Sequence, residues 1–323
     1  MDSSLLQKAV TLLRDGEVVG LPTETVYGLA GDASNTAALA RIFAIKERPE
    51  FDPLIVHAAN LERAMEVVKD FPAEARRLAR WFWPGPLTLV LSKAPWVPDL
   101  ATAGLETVAV RVPAHPVAQA VLEGFGGFLA APSANKFGGI SPTTAAAVRT
   151  ELGDRVPLVL DGGACPRGVE STIISFADGR PVCLRLGATA LEDVEKIVGP
   201  VEVCRRRDPR LAPGAFGRHY APRTPLAIWN GEQDAPAAGV RAVFMGFNRE
   251  RVPGPWPVRW LSETGNLEEA AANFFQTLRE LDAVGADLIL AEAFPERGVG
   301  RALNERLRRA AAGVQGQGGG CDG

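Results

Sequence analysis

The feature that most constrains this chain is a pattern that occurs four times: a short apolar, often β-branched run abutting Thr, Ser, Asn, Asp or Glu beside glycine or proline. Val18-Val19-Gly20-Leu21 runs into Pro22-Thr23-Glu24-Thr25, and Phe128 to Ala131 runs into Pro132-Ser133-Ala134-Asn135. Leu158-Val159-Leu160 meets Asp161-Gly162-Gly163, and Gly168-Val169-Glu170-Ser171 leads into Thr172-Ile173-Ile174. Any one of these reads equally well as a strand, a turn and a helix cap. Their repetition favours an α/β sheet that gathers a ligand at its strand ends.

Between the first two lies a cationic segment. Thr36 to Ile45 places Leu39, Ile42 and Phe43 on one helical face, which stops at Lys46-Glu47-Arg48-Pro49-Glu50-Phe51-Asp52-Pro53. The two prolines hold this segment out of any helix, so Lys46 and Arg48 are expected to project from a stiff loop suited to gripping phosphate. Leu54-Ile55-Val56 reads as a buried strand closed by His57, which serves equally as a structural or a site residue. Arg111 interrupts the strand-like Val108 to Val112. A charge buried there needs either a ligand carboxylate or an internal acid.

Elsewhere the periodicity predicts helices over residues 3–15, Leu61 to Lys69 and Ala73 to Trp83, with a break at Pro84-Gly85-Pro86. Leu87 to Leu91 and Pro181 to Leu186, the latter carrying Arg185, read as strands, and Leu191 to Val198 as a helix. Composition sets the outer bounds. A chain of 323 residues that is 46% hydrophobic can fill two cores. It has no apolar run long enough to span a bilayer and no leader pattern at its N-terminus, so a soluble cytoplasmic protein is expected. Cys165, Cys183, Cys204 and Cys321 show no paired spacing, which argues against a zinc site or a disulfide framework. A net charge of −3 argues against a dedicated nucleic-acid coat.

Proline, glycine and arginine dominate residues 205–224, which divide a first domain (1–204) from a small α/β domain (225–312); the glycine-rich tail, 313–323, is expected to be disordered. In the small domain the strands Leu226 to Trp229, Val243 to Phe247, Val258 to Leu261 and Leu288 to Ala291 alternate with helices Leu267 to Val284 and Val299 to Ala312. That alternation predicts a parallel sheet. Within the linker, Pro213 to Pro222 has the features of a lid, with Phe216, Arg218, His219 and Tyr220 placed to meet a nucleotide.

No standard phosphate loop, dinucleotide fingerprint, nucleophile elbow or zinc-protease motif is present. What remains is a set of cations (Lys46, Arg48, Arg111, Arg185) and hydroxyls (Thr25, Ser133, Ser141, Ser171) near strand ends. They suit an anionic substrate and catalysis by positioning and electrostatics rather than by a covalent nucleophile.

The same residues carry a resemblance. PTETVYGL from Pro22, the K-x-R of Lys46 and Arg48, Asp52 to His57, the arginine strand ending in RVP, S-x-N at Ser133 and Asn135, and GVESTII from Gly168 together resemble the YrdC family in its two-domain form. The resemblance runs from Ser3 to Ala312. It implies a YrdC-like twisted mixed sheet with helices, followed by a smaller Rossmann-like α/β domain. It also implies a nucleotidyltransferase that joins L-threonine, bicarbonate and ATP, with Mg²⁺, into threonylcarbamoyl-AMP and pyrophosphate. The product would pass to a tRNA-modifying threonylcarbamoyl transferase complex, with no tRNA contact or membrane required.

Carried over, Thr25, His57, Arg111, Ser171 and the Ala131 backbone would line a threonine pocket. Arg48, Asp52, Thr107, Ser133, Asn135, Ser141, Arg185, His219 and Tyr220 would meet the nucleotide, and Lys46 with Arg48 would be catalytic. Two departures stand out: Asp52 replaces the family's usual asparagine, and Phe216 and Gly217 stand where a linker lysine and tyrosine are usual. The competing readings are an RNA-binding module and a carbamoyl-transferring enzyme with another acceptor.

Overall fold

Alternation of side chains distributes the first apolar runs to two faces of one sheet. Val18, Leu29 and Ala130 join one core, whereas their neighbours Val19, Ala30 and Leu129 join another. Both faces are therefore covered by helices. In the computed structural model, which describes residues 2–204, 219–231, 235–249 and 254–312, the chain forms two units. The first comprises Met1–Phe137 with Ser141–Phe216, the second Gly138–Ile140 with Gly217–Gly323.

The first unit contains β1 (Val19–Leu21), β2 (Gly28–Asp32), β3 (Ile55–His57), β4 (Leu87–Ser92), β5 (Thr107–Arg111), β6 (Leu129–Ala130), β7 (Thr172–Ser175), β8 (Val182–Arg185) and β9 (Glu202–Val203). They form one mixed sheet in the order β1-β2-β6-β3-β5-β4-β7-β8-β9. Helix α1 (Ser3–Arg14) buries Ala9 and Leu13 with Val121 and Leu122 of α6 (Pro116–Phe125) on one face. Helix α2 (Thr36–Lys46) and α4 (Ala73–Phe82) place Leu39, Ile42, Phe43 and Leu78 in the larger core.

Several elements differ from expectation. Helix α3 covers only Leu61–Met65, because β-branched Val67-Val68 leave it, Val68 bridging Lys93 and Lys69 N–H donating to Ser92 O at 2.9 Å. Leu158 to Leu160 makes a single bridge, Gly20 with Val159, rather than a strand. Three helices absent from the sequence reading, α5 (Asp99–Thr102), α6 and α7 (Ala145–Leu152), start at Pro98, at His115 followed by Pro116, and at Thr144. Thr144 accepts the Ala147 N–H, a short polar cap that precedes too plain a run of alanines to announce a face. Helix α8 (Leu191–Val198) spans the expected residues.

The second unit holds β10 (Leu226–Trp229), β11 (Ala242–Gly246), β12 (Val258–Trp260) and β13 (Leu288–Glu292), all parallel, in the order β10-β13-β11-β12. The parallel sheet expected from the alternating pattern is present. Helices α9 (Leu267–Ala283) and α10 (Val299–Ala311) accompany it, and Phe274, Phe275 and Leu278 of α9 are buried. The Tyr220 ring is buried here, 5.4 Å from the Phe275 ring, with the Arg306 and Arg309 guanidinium carbons 5.6 and 5.4 Å from its centroid. Ala221 N–H donates to Gly138 O and Arg279 donates to Ile140 O. Residues 205–218, which contain most of the expected lid, and the tail from 313 lie outside the described residues. No helix among the described residues is long and apolar enough to cross a membrane.

Candidate active site

Two clusters of buried polar side chains flank β3. The first assembles where β3 and β5 end side by side, since their parallel register pairs His57 with Arg111. Arg111 is gripped on three sides: Nε donates to Gly85 O at 3.2 Å, Nη1 to Thr25 Oγ1 at 2.9 Å and Nη2 to Glu24 Oε1 at 2.6 Å. Its partner is thus the internal acid, one of the two alternatives left open by the strand's composition. Glu24 Oε2 also accepts the Ala114 N–H at 3.0 Å. Burial pushes the Glu24 carboxyl up, but the charge and hydrogen bond of Arg111, with the backbone N–H groups, outweigh it and hold the carboxyl below its ordinary value.

His57 stays neutral. Burial, helped by the Arg111 charge, pushes its pKa down to about 3. Its Nδ1 lies 3.0 Å from Ile55 O, a carbonyl that can only accept, and the Leu129 backbone is hydrogen-bonded to the ring as well. Thr25 Oγ1 lies 2.8 Å from Thr23 Oγ1.

Antiparallel β4 and β8 and the start of β7 extend this sheet edge. Ser171, just ahead of β7, has its Oγ 2.7 Å from Thr88 Oγ1 of β4, and Arg185 at the end of β8 donates to Ser171 O at 3.1 and 2.9 Å and to Ser171 Oγ at 3.1 Å. Arg185, expected with the nucleotide residues, is therefore bonded to a residue expected in the threonine pocket. Ser141 Oγ donates to Glu170 Oε1 at 2.6 Å. A Cβ on Gly187 would lie 2.4 Å from Glu170 O, Ser171 C and Thr172 N, so the segment that follows β8 meets this backbone at a distance only glycine permits.

The second cluster precedes β3, and here the expectation of an outstretched cationic loop is corrected. Lys46 is the last residue of α2, closed by Glu47 at φ 53°, and its side chain turns inward. Nζ donates to Ser133 O at 2.5 Å and to Asn135 O at 2.6 Å. Arg48 donates through Nε to Asp52 O at 3.2 Å and through Nη2 to Pro53 O at 2.9 Å, with Asp52 Oδ1 also 2.9 Å from Nη2. Lys46 and Arg48 are 1% and 8% exposed, so neither reaches into solvent from a loop. Burial pushes both below their ordinary pKa values. The prolines do end the helix, but the fold then uses the cations to tie the S-x-N turn to the start of β3.

The remaining expected residues are dispersed. Ala131 N–H is committed to Ile55 O at 3.1 Å. Thr107 opens β5 at the end opposite Arg111. His219 and Tyr220, expected to meet the nucleotide, belong to the second unit, where their rings lie 4.1 Å apart. Glu24, Thr88 and Glu170 were not among the residues singled out. Thr88 is polar within the apolar run Leu87 to Leu91, which is a signal that marks it, whereas Glu24 and Glu170 lie among other polar residues. No group of three or more His, Cys, Asp or Glu side chains among the described residues is arranged to hold a metal ion.

Comparison with known proteins gives the family. Residues 11–187 match the Sua5/YciO/YrdC family model, described as telomere recombination, and residues 189–312 match the threonylcarbamoyl-AMP synthase C-terminal domain. The threonylcarbamoyl-AMP synthase of Pyrococcus abyssi is 40% identical, covering 94% of this chain and 92% of its own, and that of Bacillus subtilis is 40% identical, covering 95% and 93%. The crystal structure of P. abyssi Sua5 complexed with L-threonine superposes with a TM-score of 0.88 at 38% identity, covering 95% of this chain and 94% of that one. A P. abyssi Sua5 variant with a histidine and the next residue, a tyrosine, replaced by alanine gives a TM-score of 0.84 at 36% identity, covering 95% and 92%. The fold is the twisted mixed sheet plus smaller α/β domain that the sequence implied, and the chain belongs to the two-domain threonylcarbamoyl-AMP synthase family.

Proposed function

We propose that this chain condenses L-threonine, bicarbonate and ATP into threonylcarbamoyl-AMP, with release of pyrophosphate, and that the cluster around Arg111 holds the threonine. The observation that carries this reading is the buried Arg111, whose guanidinium is fixed by Gly85, Thr25 and Glu24 beside a neutral His57. Arg111 takes the threonine carboxylate, and the hydroxyls of Thr25 and Ser171 serve the polar remainder. The amine must lose a proton before it can form the N–C bond with the bicarbonate carbon, a step that expels water. Neutral His57, with a pKa of about 3, is too weak a base to take that proton, which passes to solvent; its part is to add no positive charge beside the amine.

One carbamate oxygen then attacks the α-phosphorus and pyrophosphate leaves. Lys46 acts here as a positioning residue: it fixes the Ser133 and Asn135 carbonyls, so that the S-x-N turn presents its side chains to the nucleotide. Asp52 offsets the Arg48 charge, which leaves Arg48 as a rigid element rather than a free phosphate clamp. Mg²⁺, when bound, would supply charge neutralisation on the triphosphate. Among the described residues no group of carboxylates builds a metal cage, and Asp52 and Glu170 are engaged with Arg48 and Ser141, so the ion would arrive with the triphosphate rather than be held by the protein. Downstream, the mixed anhydride would serve a tRNA-modifying threonylcarbamoyl transferase.

The test is pyrophosphate release from ATP with each of threonine and bicarbonate omitted in turn. The expected result is a requirement for all three. Release that persists at full rate without threonine overturns the reading.

A further inference from the structure

Glu24 lies inside the first motif of the chain, yet the reaction gives it no direct part. Glu24 is 6% exposed and its carboxylate carries the same sign as the substrate carboxylate, so it cannot be the group that receives that end of threonine. Its geometry indicates a different task. A guanidinium has five N–H donors in a fixed plane, and Arg111 uses one on Nε for Gly85 O, one on Nη1 for Thr25 and one on Nη2 for Glu24. Among the described residues, one N–H on Nη1 and one on Nη2 stay available, the number that the two oxygens of a carboxylate accept.

Which two N–H groups remain is set by the acid. Glu24 Oε1 binds Nη2 at 2.6 Å, and Glu24 cannot swing, because Oε2 is held by Ala114 N–H at 3.0 Å and its own carbonyl accepts Arg167 N–H at 2.8 Å. Both carboxylate oxygens therefore accept, one from a side chain and one from backbone. A glutamine in either orientation would turn an amide N–H₂ toward one of those donors, and an aspartate, one methylene shorter, would not reach both. Resting on the assignment of Arg111 to the threonine carboxylate, we propose that Glu24 is a positioning residue: it sets the orientation in which Arg111 receives threonine, without touching threonine itself.

The experiment is steady-state kinetics of Glu24→Gln, Glu24→Asp, Arg111→Met and the double variant Glu24→Gln/Arg111→Met in the full chain, below the melting temperature of each. Glu24→Gln is expected to raise the threonine KM at least tenfold and leave the ATP KM within twofold. Glu24→Asp, which keeps the buried charge, should show the same selective rise. In the Arg111→Met background, Glu24→Gln should change the threonine KM no further, since a residue that acts through Arg111 has nothing left to position. A threonine KM unmoved by both Glu24 variants while Arg111→Met raises it overturns the role of Glu24. So does a full additive effect in the double variant, or a parallel rise in both substrates' KM. An unmoved threonine KM in Arg111→Met overturns instead the underlying assignment of Arg111.

Discussion

Replacing Arg111 by methionine should cost stability before it costs chemistry, and the loss should be rescued by a second substitution. Arg111 and Glu24 are both almost fully buried, and their 2.6 Å contact is the reason the Glu24 carboxyl lies below its ordinary pKa despite burial. Removing one partner of such a pair leaves a buried uncompensated charge, a loss of about 3–5 kcal/mol. For a unit of this size each kcal/mol lowers the melting temperature by about 2–4 °C, so the first unit should melt roughly 6–20 °C lower at pH 7.5. The double variant Arg111→Met/Glu24→Gln removes the orphaned charge and should recover more than half of that deficit. The pH dependence has a definite sign. Without Arg111, burial is opposed only by the backbone N–H groups of Glu24 and Ala114, so the carboxyl shifts up relative to the wild type and proton uptake relieves the strain. His57, freed from the Arg111 charge that helps hold it at about 3, shifts up as well. The deficit relative to the wild type should therefore shrink between pH 7.5 and pH 5. Differential scanning calorimetry without substrates, at both pH values, measures all of this. A single variant melting within 2 °C of the wild type at pH 7.5, or a double variant no more stable than the single one, refutes the argument.

Two further outcomes follow from close contacts. Gly187→Ala drives a methyl to 2.4 Å from the backbone of Glu170, Ser171 and Thr172, which cannot retreat as a flexible side chain would; the expected result is at least about 2 kcal/mol lost in a urea unfolding series, with loss of activity. Lys46→Met leaves the Ser133 and Asn135 carbonyls without their donor, at about 1–3 kcal/mol for each buried acceptor, so ATP binding by calorimetry should weaken while threonine binding is retained.

How far the residues alone foretold this site depends on whether the determining interaction was local. Helix α8, the second unit's strands and the two ends of α9 follow from periodicity within a dozen residues, and they were readable. The need of Arg111 for a partner was readable too, because a cation in an apolar strand is anomalous on its own. The identity of the partner was not, since Glu24 is 87 positions away in the chain and only the fold brings the two together. Lys46 shows the opposite failure. A cation just ahead of two prolines looks solvent-facing, but the carbonyls that capture it belong to residues 87 and 89 positions later. Pattern reading assigns such a side chain to water because it cannot see the acceptor. Helix α7 is hidden for a milder reason: Ala145-Ala146-Ala147 carries helix propensity but no face.

Asp52 joins these threads. The two buried cations ahead of β3 are committed in the structure, Lys46 to carbonyls and Arg48 to Asp52. Both cations of the other cluster are also committed, Arg111 to Glu24 and Arg185 to Ser171. Each cluster thus has its charge fixed in place by partners that precede or follow β3, β5 and β8, and β3 itself, three residues long, separates its first and last Cα by only about 7 Å. A reaction that joins an amino acid to an adenylate through one carbamoyl carbon needs two charged substrate ends held rigidly at short separation, and it needs them held by groups that do not rearrange as charge moves. Free lysines and arginines in solvent would supply charge without that rigidity. A short strand with hydrogen-bonded, buried cations near both of its ends would supply both.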